Sequence, residues 1–403
     1  MKDTAPPKSF LPYGRQQIDA EDEQAVLEVL RGDFLTTGPT VDTYEKAFAE
    51  RVGAKHAVAC SSGTAGLHMA AIALGLDFGD VVVVPSVTFL ATANAVRYVN
   101  ADVLFADVDP ETGLMGAEHV ARAIAGLSEG TVKAIFPVHL TGHTVDIAGL
   151  RKVFPHLAMV EDACHALGGE YDVGQGMVPV GSCPLGGITM FSTHPVKTIA
   201  TGEGGVLTTN SDVLANRLGW ARNHGMVREP ERFQNQAMGF EGGNPAPWYY
   251  EMHLPGYNYR LSDVNAALGL SQLKKLDVFV AKRRALRDRY AERVAGLGPH
   301  VKMQRVAGGC NPAWHLAVTL IDFDALGTAR TEVMNALRER GIGTQVHYIP
   351  VHRQPYYARR YGPLNLPGAD AYYARCLSLP LFPAMEESDV DRVVEELASV
   401  LKL

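Results

Sequence analysis

Cysteine is scarce in this sequence. Five residues (Cys60, Cys164, Cys183, Cys310 and Cys376) are spread over 403 positions, odd in number and without a CxxC pair. That excludes a disulfide framework or a cysteine-built zinc module and fits a reduced, cytoplasmic chain. Long apolar runs are also missing. The longest purely aliphatic one, Val81 to Val84, is far shorter than the ~20 residues a membrane-spanning helix needs. The opening "MKDTAPPKSFLPYG" has no apolar stretch resembling a signal peptide, so the expectation is a soluble protein with no membrane partner. A basic excess is absent too. Lys and Arg number 37 against 44 Asp and Glu, a net charge of -7, which argues against a general nucleic-acid binder. A small anion held by a few local donors stays open.

What the sequence does have is length and apolar material, 47% of its residues. A chain this long exceeds what one core usually fills, so two domains are expected: a short arm over 1–15, a large domain over 16–260 and a smaller one over 261–403. "EDEQAVLEVLR" carries a helical stripe at Ala25, Val26, Val29 and Leu30. Strand and helix patterns then alternate: "HAVAC", "VVVVPS", "DVLFADVD", "KAIFPVHL", "LAMVEDAC", "GITMFS" and "GGVLTTN" read as strands, and "TAGLHMAAIALG", "TANAVRYVN" and "DIAGLRKVF" as helices. That rhythm predicts an α/β fold, a mostly parallel seven-stranded sheet between helices. "FEGGNPAPWYY" reads as a loop. The proline-free stretch from Leu261 to Leu297 reads as one long helix or two joined ones. "AWHLAVTLID", "TEVMNALRERG" and "DVDRVVEELASVL" complete a smaller α+β unit.

Three local patterns carry possible chemistry. In "CSSGTAGLH" a strand, a tight turn and a helix start follow one another. Such a start points free backbone N–H groups and the positive end of a helix at one place, which suits a phosphate; an ordinary N-capped helix is the plainer reading. In "VEDACHALGG", Asp162 falls at the carboxyl end of a predicted buried strand, with His165 three residues on. A carboxylate there can keep a proton on a heterocyclic nitrogen, or simply cap the next turn. A metal reading of the pair lacks a third ligand, so no metal is expected. In "FSTHPVKTIATGEGG", Lys197 lies between two strands beside a glycine cluster. A desolvated lysine has a lowered pKa and becomes a nucleophilic amine, whereas most lysines snorkel to water. Each pattern alone favours its plainer reading. Together, in this order on successive strand ends, they match the phosphate, ring nitrogen and aldehyde of pyridoxal 5'-phosphate.

The blocks "SSGTAGLH", "PSVTFLATANAV", "VEDACHALGGEY", "FSTHPVKTIATGEGGVLTTN", "RNHGM" and "GYNYRLSDVNAALGLSQLKKLD" resemble the DegT/DnrJ/EryC1/StrS sugar aminotransferases. The resemblance implies the fold-type I architecture of pyridoxal phosphate enzymes, with the cofactor in the large domain and pyridoxamine 5'-phosphate as the alternate form. It implies that Lys197 attaches to the cofactor and that Asp162 pairs with its ring nitrogen. By the same resemblance His165 lies near the ring's phenolic oxygen, Phe89 stacks on the ring, and Gly63, Thr64 and Ser192 contact the phosphate. Asn258 in "GYNYR" matches a residue that reaches the neighbouring subunit's cofactor, implying a homodimer with shared active sites. Arg260, Tyr13, Thr36, Thr37, His347 and Tyr348 are candidate contacts for a nucleotide-sugar substrate, with ordinary loop packing as the alternative. The segments "PWYYEMHLPGYNYRLSD" and "QVHYIPVHRQPYY" are similar to those members that aminate C4 of a UDP-linked 4-keto-6-deoxy-N-acetyl hexose, drawing nitrogen from an amino acid such as glutamate. Two rivals stay on the page. A cysteine desulfurase-like lyase would want a nucleophilic cysteine on a mobile loop, and a non-catalytic relative would have no need of Lys197 and Asp162.

Overall fold

A computed structural model describes residues 10–128 and 130–403, so most of the expected arm, 1–9, lies outside the described residues. Seven strands form the central sheet: β1 (His56–Cys60), β2 (Val81–Pro85), β3 (Asp102–Ala106), β4 (Val132–Ile135), β5 (Ala158–Asp162), β6 (Ile188–Ser192) and β7 (Gly205–Thr209). Their order is β1-β7-β6-β5-β4-β2-β3, with β7 antiparallel to both of its neighbours and the other pairings parallel.

These strands read as near-continuous apolar runs because both faces of the sheet are covered. Alternate residues feed two different cores. Val58, Val82, Val84, Val160 and Met190 pack with Leu67, Met69 and Ala71 of α1 (Gly63–Leu74) and Ala93 and Ala95 of α2 (Leu90–Tyr98). Ala59, Val83, Met159 and Phe191 face the other way, against Tyr44 and Phe48 of the helix Pro39–Val52.

The stretch from Leu261 to Leu297 is two helices, Asp263–Lys274 and Leu276–Ala295, joined at Lys275. The first packs on the helices Ala20–Arg31 and Pro39–Val52, and buried Asp263 accepts hydrogen bonds from the N–H groups of Gly38 and Thr40 at 2.8 and 2.9 Å. Its partner packs with the C-terminal helix Glu387–Leu401 over an antiparallel sheet of Val301–Met303, Ala317–Ile321 and Cys376–Leu379. Two expectations need adjustment. "KAIFPVHL" is a strand only over Val132–Ile135, after which Pro137 to His139 bond to Asp162 through the backbone. "FEGGNPAPWYY" contains a two-residue hairpin, Phe240–Glu241 against Asn244–Pro245. Among the described residues no helix is long and apolar enough to cross a membrane.

Candidate active site

The register of the sheet explains why distant residues meet. Gly205 opens β7 opposite both Cys60, which ends β1, and Ser192, which ends β6. Asp162 ends β5 beside Met190. The turn after β1, the turn after β5 and the loop after β6 therefore open at one edge, where parallel α/β sheets place ligands. A cavity of about 520 Å³ lies there, lined by Tyr13, Gly63, Thr64, Phe89, Asp162, His165, Ser192, Lys197, His347 and Tyr348 among others. Ten of the fourteen candidate residues thus come together.

At one end sits the start of α1. Ser62 is its N-cap, its hydroxyl accepting from the Ala65 N–H at 3.1 Å. That cap leaves the first-turn N–H groups of Gly63 and Thr64 to an outside acceptor, and the helix dipole favours an anion there. Glycine is needed for closeness: a Cβ on Gly63 would sit 3.1 Å from Ser192 Cβ, and one on Gly205 would sit 2.8 Å from the Ser62 carbonyl oxygen.

At the other end is Asp162, buried. Thr92 Oγ1 donates to its Oδ2 at 2.7 Å, and the Cys164 N–H reaches Oδ1 at 3.2 Å. Both contacts fix the carboxylate plane without introducing a cation. Cys164 itself is half-buried, and burial, then the nearby Asp162, pushes its thiol well above the ordinary range. It is a protonated filler.

Lys197 is half-buried in the cavity wall. Its loop is clamped at the base, where the Thr193 N–H meets the Gly204 carbonyl at 3.0 Å and the Thr201 N–H meets the Thr193 carbonyl at 2.8 Å. Burial lowers its pKa from the usual lysine value, while Cys164 and Asp162 pull the other way. Around it stand neutral groups. Burial pushes His165 well below the ordinary histidine range and His347 down to about 3, in both cases with help from the Lys197 charge. Tyr348, whose hydroxyl lies 3.2 Å from His165 Nε2, is pushed upwards by burial. His347 Nδ1 bonds Ser378 Oγ at 2.7 Å, and its ring lies 5.5 Å from that of Tyr13. Phe89 is 54% exposed, and its ring lies 5.9 Å from that of Tyr348 between centroids.

Four candidates stand apart from this cavity. Thr36 and Thr37 are exposed; Thr36 bridges Ser262, and Thr37 Oγ1 donates to the Thr36 carbonyl at 2.7 Å. Asn258 is exposed and bridges Asn223, while Arg260 Nη1 donates to Asn223 Oδ1 at 2.6 Å. Sequence reasoning in turn overlooked Thr92, Thr88, Glu203 and Gln345. Thr88, Glu203 and Gln345 line the cavity, and Thr88 Oγ1 stands 2.8 Å from Thr92 Oγ1. Thr88 lies inside a block already singled out, "SVTFLAT", and its hydroxyl beside a helix start was the available signal.

The geometry fits pyridoxal 5'-phosphate. A helix N-terminus with glycine clearance, a buried hydrogen-bonded carboxylate, an exposed aromatic face and a desolvated lysine line one space. These are the handles that this cofactor class requires. Among the described residues no group of three or more His, Cys, Asp or Glu is placed to hold a metal ion.

Comparison with known proteins agrees on the class. The family model described as the DegT/DnrJ/EryC1/StrS aminotransferase family matches residues 16–398, and the chain belongs to that family. It is an enzyme, an aminotransferase. The spore coat polysaccharide biosynthesis protein SpsC of Bacillus subtilis (strain 168) is 38% identical over 407 residues, covering 98% of this chain and 97% of that protein. Among solved structures, Helicobacter pylori PseC, an aminotransferase involved in the biosynthesis of pseudoaminic acid, superposes with a TM-score of 0.85 at 26% identity, covering 98% of this chain and 100% of that one. DesV of S. venezuelae gives 0.83 at 29% identity, with 98% and 100% covered.

Proposed function

We propose that this chain is a pyridoxal 5'-phosphate-dependent sugar aminotransferase that moves nitrogen from an amino acid, L-glutamate, to C4 of a UDP-linked 4-keto-6-deoxy-N-acetyl hexose. The product is UDP-4-amino-4,6-dideoxy-N-acetyl-β-L-altrosamine, a precursor in pseudaminic acid biosynthesis. One observation carries the reading: Lys197 and Asp162 face one cavity whose far end is the start of α1. The likeness to PseC supports the sugar. The higher identity to a spore coat polysaccharide protein favours a second reading, amination of another nucleotide-linked 4-keto-6-deoxy sugar of the GDP-perosamine or UDP-bacillosamine type.

Bound pyridoxal phosphate supplies an electrophilic carbonyl carbon and a ring that accepts electrons. The chain supplies the rest. Gly63, Thr64 and Ser192 hold the phosphate, and Phe89 covers the ring. Asp162, braced by Thr92, holds a proton on the ring nitrogen. Lys197 Nζ, its ammonium form disfavoured by burial, would hold the cofactor at its carbonyl carbon, the carbonyl oxygen leaving as water. Displaced from that carbon by the amine of the amino acid, Lys197 Nζ would take the proton from the substrate carbon that bears nitrogen and deliver it to the former carbonyl carbon. Tyr348 and Phe89 stand side by side in the cavity wall.

The four residues outside this cavity support a homodimer in which Asn258 and Arg260 serve a neighbouring copy. Phe34 and Leu35, beside Thr36 and Thr37, are more than half exposed at 55% and 52%, an apolar edge suited to such a contact. The test is an assay of the purified protein with glutamate and a panel of UDP-, GDP- and dTDP-4-keto-6-deoxy sugars, following the cofactor's absorption band. Turnover restricted to the UDP-linked substrate whose product is UDP-4-amino-4,6-dideoxy-N-acetyl-β-L-altrosamine supports the first reading. A preference for a GDP- or dTDP-linked sugar, or a UDP-linked product of the bacillosamine type, replaces it with the second, and a protein whose band ignores glutamate is no transaminase.

A further inference from the structure

A buried polar group on the far side of β5 has no place in the mechanism above. Glu161 precedes Asp162, so its side chain leaves the opposite face of the sheet. Its Oε2 lies 3.0 Å from His139 Nε2, and Tyr171 donates to its Oε1 at 3.4 Å. All three residues are buried, with exposures of 2% for Glu161, 0% for His139 and 1% for Tyr171. A hydrogen-bonded carboxylate this deep is costly unless its partners are held in place.

The histidine is held. The Val145 N–H donates to His139 Nδ1 at 3.0 Å, so that nitrogen is the acceptor and Nε2–H donates to Glu161. The His139 N–H also bonds the Asp162 carbonyl at 3.0 Å. Between His139 and Val145 the chain makes a tight buried turn. Thr141 adopts φ 65°, unusual for a β-branched residue, and Gly142 adopts φ 97°, where a Cβ would collide with the Ala313 carbonyl at 2.0 Å. Thr141 Oγ1 donates to Gln304 Oε1 at 2.9 Å, and its carbonyl accepts the His315 N–H at 2.9 Å. This fixed turn reaches the active site through Thr141. The Thr141 N–H donates to His165 Nδ1 at 3.3 Å.

We infer that the Glu161–His139 pair is a positioning device that sets the tautomer of His165. With Nδ1 occupied as an acceptor, the imidazole carries its proton on Nε2 and is a fixed donor toward the Tyr348 hydroxyl and the cavity. This inference rests on the cofactor reading above for its use: an oxygen of the ring beside His165 would find a donor there and never a lone pair. Glu161 and His139 touch no ligand and act through the turn.

Nuclear magnetic resonance of the apo-protein labelled with ¹⁵N in its histidine rings tests this without turnover. In the unaltered protein at neutral pH, His165 should show an unprotonated Nδ1 and a protonated Nε2; a proton on Nδ1 overturns the inference. Glu161→Leu should give a tautomer mixture at His165, and Glu161→Gln, which still accepts from His139, should shift it less. Supporting partners of metal-bound histidines act on activity by roughly 10- to 100-fold, and a loss of that order is expected in the loaded Glu161→Leu enzyme. In a His165→Gln background, where no tautomer exists to be set, Glu161→Leu should bring no comparable further loss. An unchanged His165 signature in folded Glu161→Leu, or an equal loss in both backgrounds, overturns the inference. A failed sugar assay leaves the ¹⁵N result standing, so the two readings fail separately.

Discussion

Thr92 Oγ1 donates to Asp162 Oδ2 across 2.7 Å, and both residues are buried. A threonine on α2 thereby aims a carboxylate on β5. Thr92→Val keeps the shape and removes the donor. Hydrogen bonds to charged groups contribute about 1.5–3 kcal/mol, so cofactor affinity should fall by about one to two powers of ten. Equilibrium dialysis of the cofactor checks this, and unaltered affinity would detach Thr92 from the site.

Gly205 tests the cradle from behind. Gly205→Ala would push a methyl group toward the Ser62 carbonyl, 2.8 Å from its ideal position, and toward the flexible end of Met190. Moving Ser62 shifts the cap of α1. Overpacking of this kind costs about 1–3 kcal/mol, and the melting temperature should fall together with phosphate-dependent cofactor affinity. Loss of melting temperature alone would mean that the cap did not move.

Lys197→Ala should abolish turnover, by at least about 10³-fold, while the chain folds normally, since the side chain contributes no core packing. Borohydride reduction followed by peptide mapping gives the complementary evidence. In the unaltered protein the label belongs on residue 197, and a label elsewhere removes the assignment.

Acid should weaken the fold in a defined window. Burial lowers His347 to about 3 and His143 to about 4, against 6.5 for an ordinary histidine. The unfolded chain therefore binds protons between pH 6.5 and those values while the folded chain does not, so stability falls as pH falls through that range. The loss is about 1.4 kcal/mol per pH unit for each such histidine. Urea midpoints at pH 7, 5.5 and 4.5 measure it, and His143→Gln should flatten the slope.

The parts of the site written in the sequence are those set by local structure. Asp162, Lys197 and the start of α1 each follow directly from a strand end, and strand ends are visible as apolar runs stopping at polar residues. Thr92 and Glu161 were invisible as a pair of braces because their partners are fixed by sheet order, 70 and 22 positions away in sequence. The helix Asp212–Arg222 escaped notice because its apolar residues, buried only at Leu218 and Ala221, trace no strong stripe. Thr36, Thr37, Asn258 and Arg260 came from resemblance alone, and a single chain does not gather them into the cavity.

Leu11 bonds through its N–H to the Gly341 carbonyl at 2.9 Å and through its carbonyl to the Gly343 N–H at 2.7 Å, and the Tyr13 carbonyl accepts from Leu381 at 3.1 Å. Those few residues stitch the amino end to the half of the molecule that carries His347 and Tyr348. Anyone altering residues 11–13 is therefore editing the mouth of the reaction chamber.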